Sequence, residues 1–457
     1  MGSHVSRRRA LEVGAVVGTI GVAGCFDPQM ESDDEAESPT ESEPGDDGWG
    51  TFRGDSRLTG VAPAEAAPGE SLAVDWRVDG ADVAAERDAS LEGPITVTVV
   101  SSPVVADESV VVTVECVDES TDDLLTTLLA IDVESGEIEW AIGIESREGR
   151  VLDPVVSDSH EAIGVVHWTD DGGRLSLIDA ESGELRDERA LERPSQPTMA
   201  DGTLYVDGTS VVSSDLSDGD GLSEGGDPSN GNGWEIELGT EAAPAARLTV
   251  TDDSVLAPRG DGLVALERED GTHRWDVSFV ASDGTERVPS GVTAPVVGDE
   301  SAYCAGDHDA LGEYQPSPLI ALDPDDGEER WQFRPGSDDG AFGGVYGYPI
   351  ERDGIVYAVG LETGDPDAES LEDEFSLFAV DDGDLVWQVD VGPTLAPVAA
   401  DDALYVPTAA GVSVYGTGGE RRDEVDLGSS PNPYRSPAIT DGRLIVPTDD
   451  GLVAIGD

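Results

Sequence analysis

Few side chains in this chain of 457 residues could carry chemistry, and they are not grouped for it. The five histidines are scattered, and no Cys-x-x-Cys or His-x-x-x-His pair offers metal-ligand spacing. Cys25, Cys116 and Cys304 stand far apart, so there is no adjacent pair of thiols. Asparagine, a neutral oxygen donor for hard cations, occurs only at Asn230, Asn232 and Asn432. What stands out is a set of arginines and tyrosines placed shortly before prolines: Arg150, Arg193, Arg287, Tyr346, Tyr348, Tyr434 and Arg435. Residues 342–348, Phe-Gly-Gly-Val-Tyr-Gly-Tyr, are the one aromatic cluster in a chain with 5% aromatics. A guanidinium beside a phenol could hold a carboxylate or a peptide segment. The other reading is that the rings cap the apolar end of a sheet while the arginines pair with nearby aspartates.

Those residues precede a recurring element. Pro103, Pro154, Pro197, Pro244, Pro295, Pro349, Pro397 and Pro437 are spaced 51, 43, 47, 51, 54, 48 and 40 residues apart. A short apolar run, an Asp-containing turn and an alternating strand follow the proline, as at residues 204–206 (Leu-Tyr-Val) and 355–357 (Ile-Val-Tyr). A second unit lies downstream. Residues 130–140, Ala-Ile-Asp-Val-Glu-Ser-Gly-Glu-Ile-Glu-Trp, return with the same anchors at 265–275 and 321–331. Residues 177–187 end in Asp instead of Trp, 413–423 keep the Gly and the spacing, and 379–387 are two residues shorter. Apolar alternation leads into a tight Asp-x-x-x-Gly turn, with Gly136, Gly271, Gly327 or Gly383 at φ > 0, and a last strand ends on Trp. Trp76, Trp140, Trp275, Trp331 and Trp387 are expected to lie flat between neighbouring sheets, each with its N–H free for an acceptor.

Four strands per repeat and eight repeats predict an all-β, eight-bladed β-propeller with four antiparallel strands per blade. The eighth repeat runs out at residue 457 before a fourth strand. Residues 72–78, which contain Trp76, supply that strand from the other end, so the ring of residues 72–457 is closed by an N-terminal strand without an open sheet edge. Long connections gather on one face: residues 208–232, 306–316 and 362–374, and the stretches before Pro103, Pro295 and Pro349. That face is the expected binding face, with Tyr346, Tyr348, Tyr434, Arg435 and Arg150 as its candidate rim.

The unit Ala-x-Asp-x-x-Ser/Thr-Gly-x-x-x-Trp, repeated around eight blades, resembles the tryptophan-docking motif of pyrroloquinoline-quinone (PQQ) dehydrogenases and their non-catalytic relatives. Among the latter is the lipoprotein propeller of the outer-membrane β-barrel assembly machine. Residues 49–55, Trp-Gly-Thr-Phe-Arg-Gly-Asp, resemble the lead-in of such quinoprotein-type propellers and are expected to pack their rings on the propeller body. The enzyme branch implies PQQ stacked on a Trp beneath a disulfide of adjacent cysteines, with Ca²⁺ held by a Glu, an Asn and an Asp. This chain has no such Cys pair, and only Asn432 lies near the rim. The resemblance thus implies a scaffold with no catalytic residue, metal or cofactor. The alternative is a PQQ- and Ca²⁺-dependent alcohol or sugar dehydrogenase with an altered site.

The N-terminal end implies export. Residues 6–12 carry three arginines and precede an apolar run, 13–24, too short to span a bilayer. Residues 1–24 resemble a twin-arginine signal peptide, and residues 22–25 (Val-Ala-Gly-Cys) resemble a lipobox, which implies a lipid on Cys25 at the outer face of the cytoplasmic membrane. Residues 25–48 read as an acidic disordered tether and 49–457 as the propeller. With 98 acidic against 25 basic residues, all arginine, the net charge is −73. That excludes nucleic acid as a partner and fits a surface adapted to molar salt, where the screening length is about 3 Å. It implies a haloarchaeal source. Cys116 and Cys304 read as small buried residues of different blades. The expected partner is a protein or peptide at the cell surface, bound by a monomer.

Overall fold

The computed structural model describes residues 49–69, 71–87, 95–118, 121, 123–144, 146, 152–169, 172–216, 222, 233–238, 247–259, 262–279, 293–305, 317–336, 344–361, 375–394 and 396–456. The leader, Cys25, the tether, Arg150 and Arg287 lie outside them.

Inner and outer strands differ in pattern for a physical reason. Ser109–Asp118 is buried on both faces over most of its length and reads Val-Val-Val-Thr-Val, whereas Ile138–Ile144 alternates, because only one of its faces meets a neighbour. In blade 1 these strands pair in the order Val104–Ala106, Ser109–Asp118, Asp123–Asp132, Ile138–Ile144. Eight sheets of this kind form an eight-bladed propeller. Ile95–Val100 lengthens the inner edge of blade 1 by pairing with the far end of Ser109–Asp118. Blade 8 consists of Ala438–Thr440, Arg443–Pro447 and Gly451–Gly456, and Ala73–Asp79 completes it, antiparallel to Gly451–Gly456 with Trp76 opposite Ala454. An N-terminal strand therefore closes the ring, as the repeat count requires.

Around the outside runs a belt of tryptophans, each seated on the Gly turn of the next blade. The indole N–H of Trp76 donates to the Val133 carbonyl at 2.9 Å, that of Trp140 to Ala180 at 3.0 Å, that of Trp275 to Pro324 at 3.1 Å and that of Trp387 to Thr417 at 3.0 Å. A side chain on Gly136 (φ +71°) would lie 2.7 Å from the Trp76 ring, so this turn needs glycine twice over. Trp331 covers Gly383 in the same way. Trp234 belongs to the belt too, over Gly271 with its N–H on the Arg268 carbonyl at 3.0 Å.

Three expectations need correction. The outer strands do not end on Trp; they run on to Ile144, Ser278, Phe333 and Asp390. A bulge just before the ring sets Trp140 opposite Ala130 and Ile138 opposite Ile131, and the same shift recurs at Trp275, Trp331 and Trp387. The bulge re-aims the indole, and the Ala leaves room beside it. Second, residues 208–232 are not the connection between the second and third strands of blade 3. The third strand is Ser210–Asp215, so the long connection lies between the third and fourth strands, on the opposite face. Its polar sequence, Ser-Val-Val-Ser-Ser-Asp, hid it at the head of a Ser/Asp/Gly run. Third, Pro244 does not mark blade 4. The inner strand there is Thr249–Val250, and Leu248 takes the place that proline has elsewhere.

Candidate functional site

The inner strands of a propeller present unpaired N–H groups to the central channel, and these need acceptors. Residues 49–60 provide them. Carbonyls of Trp49, Gly50, Ser56, Arg57 and Gly60 accept from Val105, Val156, Val250, Val297 and Ala399, at 2.9, 2.7, 2.8, 3.0 and 2.7 Å. These partners belong to blades 1, 2, 4, 5 and 7, so the lead-in makes a circuit of the bore in ring order before Ala73–Asp79 joins blade 8. The lead-in packs its rings on the propeller body, with Trp49 and Phe52 both buried, and it does so from within the channel.

Its centre is Arg53, fully buried, whose guanidinium donates to the carbonyls of Leu58 (3.0 Å), Thr59 (3.3 Å), Pro349 (2.8 Å) and Pro397 (2.7 Å). Burial pulls its pKa down to about 9, opposed by Tyr348 and Asp55. Gly60, at φ +68°, is where the guanidinium passes closest to the backbone, and a Cβ there would collide with it. Asp55 fixes the turn by accepting from the Thr59 N–H at 3.0 Å and from its hydroxyl, while burial raises its pKa.

The residues directly before the inner strands make a ring at the mouth of this plugged channel. Asp153 of blade 2 is its hub. One carboxylate oxygen accepts the Ser102 N–H of blade 1 at 2.7 Å and an N–H of Arg435 from blade 8 at 3.3 Å. The other accepts from Arg247 of blade 4. The Asp153 N–H donates to Gln196 of blade 3 at 2.9 Å, and the Ser436 N–H donates to the Ser102 hydroxyl at 3.1 Å. Arg247 lies 3.9 Å from the centroid of the Phe52 ring, and Phe52 meets Tyr348 edge-on at 4.9 Å. Burial lowers the Arg247 pKa to about 10; Tyr348 opposes this and Arg435 adds to it. Burial also raises the Glu115 carboxyl, against the pull of Arg435. Beside the mouth, Asp207 and Arg259 form a buried bidentate pair, both bonds 2.6 Å.

Two of the proposed rim residues, Tyr348 and Arg435, meet at this mouth. Tyr346 does not join them: it is 3% exposed and packs in the apolar core with Ile350, Tyr357 and Leu377. Tyr434 points outward, 53% exposed, with its N–H on the Asn432 side-chain oxygen at 3.0 Å. Asp153, Glu115 and Arg247 escaped the sequence reading; Phe52 stood in the lead-in motif but was not placed at the mouth. Asp153 was legible, since it stands directly before Pro154 as Tyr348 does before Pro349. Arg247 was hidden because Leu248 replaces its proline.

A comparison with curated protein sequences gives no match. Among solved structures, the quinohemoprotein alcohol dehydrogenase from Comamonas testosteroni superposes with a TM-score of 0.57 at 14% identity, over 90% of this chain and 81% of that one. The quinohemoprotein alcohol dehydrogenase ADHIIG from Pseudomonas putida HK5 gives 0.55 at 12% identity, over 88% and 75%. At such identities the likeness concerns the fold alone. Residues 88–216, 124–317 and 196–374 match the PQQ_2 family, described as outer membrane protein assembly factor BamB, and together span more than half of the sequence. The docking belt, the eight closed blades and these matches lead to one identification: the chain belongs to the PQQ_2 family of β-propellers.

Proposed function

We propose that this PQQ-like propeller is a cell-surface scaffold that binds a protein or peptide partner on its channel-mouth face. One observation carries the reading: the bore is filled by the chain's own residues 49–60, bonded to five blades, so the ring is a rigid body with its rims left for contact. The sequence of residues 1–48 supports export, a lipid on Cys25 and a tether to the outer face of the membrane. The charge balance supports work in molar salt and a haloarchaeal source.

The alternative, a dehydrogenase using PQQ with Ca²⁺, has less support because the residues at the mouth do not fit that pair. Both oxygens of Asp153 are held by guanidinium groups, and the Asn432 oxygen accepts the Tyr434 N–H. Among the described residues no three His, Cys, Asp or Glu side chains converge as a cation site. Cys116 and Cys304 are buried in separate blades, 1 and 5, and so make no adjacent pair of thiols.

The test is position-specific photo-crosslinking on membranes in molar KCl. A crosslinker replacing exposed Tyr434, on the mouth face, should capture a discrete partner, whereas one replacing Asp326, in a turn on the opposite face, should not. Equal capture from both faces, or from neither, would sink the scaffold reading. Cys25→Ser should release the protein from the membrane fraction; unchanged retention would refute the anchor.

A further inference from the structure

We infer that the channel mouth receives a single carboxylate group, seated between Arg247 and Arg435. The inference rests on the binding role proposed above and names the chemistry that the mouth face recognises.

Among the described residues the mouth holds a buried donor without an acceptor. Arg247 is 4% exposed at its side chain and has the Tyr348 side chain as a hydrogen-bond partner, while its Nη1 makes no hydrogen bond among the described residues. An unmatched buried guanidinium nitrogen is costly unless something occupies it. Arg435, with 21% of its side chain exposed, reaches Asp153 only at 3.3 Å and marks the open side of the cluster. The two guanidinium groups share one carboxylate, Asp153, and each repels the other's charge. Glu115 faces Arg435, and its Oε1 also lacks a partner.

Charge and shape select the class of ligand. With Glu115 counted, the two arginines and two carboxylates balance, so the unbonded Nη1 of Arg247 and not net positive charge draws the ligand, and a monoanion suits the cluster better than a phosphate or sulfate dianion. The planar fork of a guanidinium matches a carboxylate. In a chain of net charge −73, such a spot must be walled from the surrounding negative charge by its own residues, and Phe52 and Tyr348 provide that wall. The carboxylate can come from a small acid or from the C-terminus of a peptide.

Calorimetric titration of the full chain in molar KCl separates these sources. The probes are propionate, a blocked tripeptide with a free C-terminal carboxylate, and the same tripeptide as its amide. The peptide acid should bind saturably and the amide should not. Arg435→Gln should weaken binding on the order of 10- to 100-fold, as expected for a lost charge-assisted pair, while the ligand-free melting temperature stays within about 2 °C. Arg435→Lys should recover part of the affinity. Binding of the peptide acid alone assigns a chain terminus; equal binding of propionate assigns a small acid. Absence of binding by both acids, tighter binding of sulfate, or an Arg435→Gln variant that binds like the parent would overturn the inference. If that variant still captures its partner through position 434 at parental yield, the scaffold role stands and the carboxylate site falls.

Discussion

The outside of this ring and its bore are held by opposite means. Outside, one contact is repeated: an indole on the glycine turn of the next blade, at Trp76, Trp140, Trp234, Trp275, Trp331 and Trp387. Inside, nothing repeats. A single lead-in circles the channel and bonds to the inner strands of five blades, each through a different residue. Loss of one belt contact leaves its neighbours intact, because repeat proteins add up stability through local interfaces. Loss of the lead-in removes bonds from five blades at once.

The largest expected effect comes from truncation. A chain lacking residues 1–48 should melt within about 2 °C of the full protein in molar KCl. A chain lacking residues 1–60 loses the bore contacts but keeps Ala73–Asp79, and one lacking 1–80 loses both. Both should fail to show a cooperative thermal transition by circular dichroism, the second also aggregating through its open blade edge. If the 1–60 truncation melted like the 1–48 truncation, the bore would contribute nothing and the comparison would collapse.

Next in size is Arg53→Leu. Four carbonyls lose a charged donor, each worth about 1 kcal/mol or more, so roughly 3–5 kcal/mol should go. Denaturant unfolding of the variant measures it. A loss under about 1 kcal/mol would mean that water takes over at those carbonyls.

The same contrast explains what could be read beforehand. The belt was legible because a fixed offset from Gly to Trp recurs, and so was closure, since a strand containing Trp76 had to complete blade 8. The strand Ser210–Asp215 was not legible, because four of its six residues are Ser or Asp and it has no docking unit behind it. The bore was visible only as a motif, Trp-x-x-Phe-Arg-Gly-Asp. Nothing local in it says that Arg53 will reach carbonyls at Pro349 and Pro397, some 300 residues away. The mouth was half legible: proline position exposed Tyr348, while Arg435, one residue further from its proline, could be placed only near the channel. A leucine in place of proline concealed Arg247.

Two of the eight junctions lack a belt tryptophan: Asp423 takes its position in blade 7, and the junction between blades 2 and 3 shows what can stand in for the ring. At the Trp position of blade 2 stands Asp187, which accepts the Leu222 N–H at 2.7 Å, while Leu222 packs between blades 2 and 3 with Leu216. A polar clasp and a leucine replace indole and glycine. Trp275→Ala should cost about 3–5 kcal/mol, because the ring is buried between blades 4 and 5. Asp187→Trp should not repair the belt. With no glycine seat for it among the described residues, it should cost about 1 kcal/mol, through the lost acceptor for Leu222. Stabilisation by Asp187→Trp would show that the missing ring, and not its seat, limits this junction.

The smallest effect lies at the turns themselves. In blades 2 and 5 the bulged strand also projects a side chain back to the motif aspartate, whether or not a ring follows it: Arg186 to Asp179 at 2.6 Å, Arg330 to Asp323 at 2.9 Å. Arg186 first, then Ser182, holds the Asp179 pKa down to about 2, below the ordinary value near 3.9. A depressed carboxylate favours the folded state wherever it is ionised in both states, so the contribution is full above about pH 4 and fades as pH falls toward 2. Arg186→Gln should therefore destabilise by a few tenths to about 1 kcal/mol at pH 6, and least in molar salt, because the pair is open to solvent and screened there. Near pH 2 parent and variant should unfold together in urea. A difference that persists unchanged from pH 6 to pH 2 would assign the role of Arg186 to packing against the turn, including its bond to the His160 carbonyl at 2.7 Å, and not to the charge on Asp179.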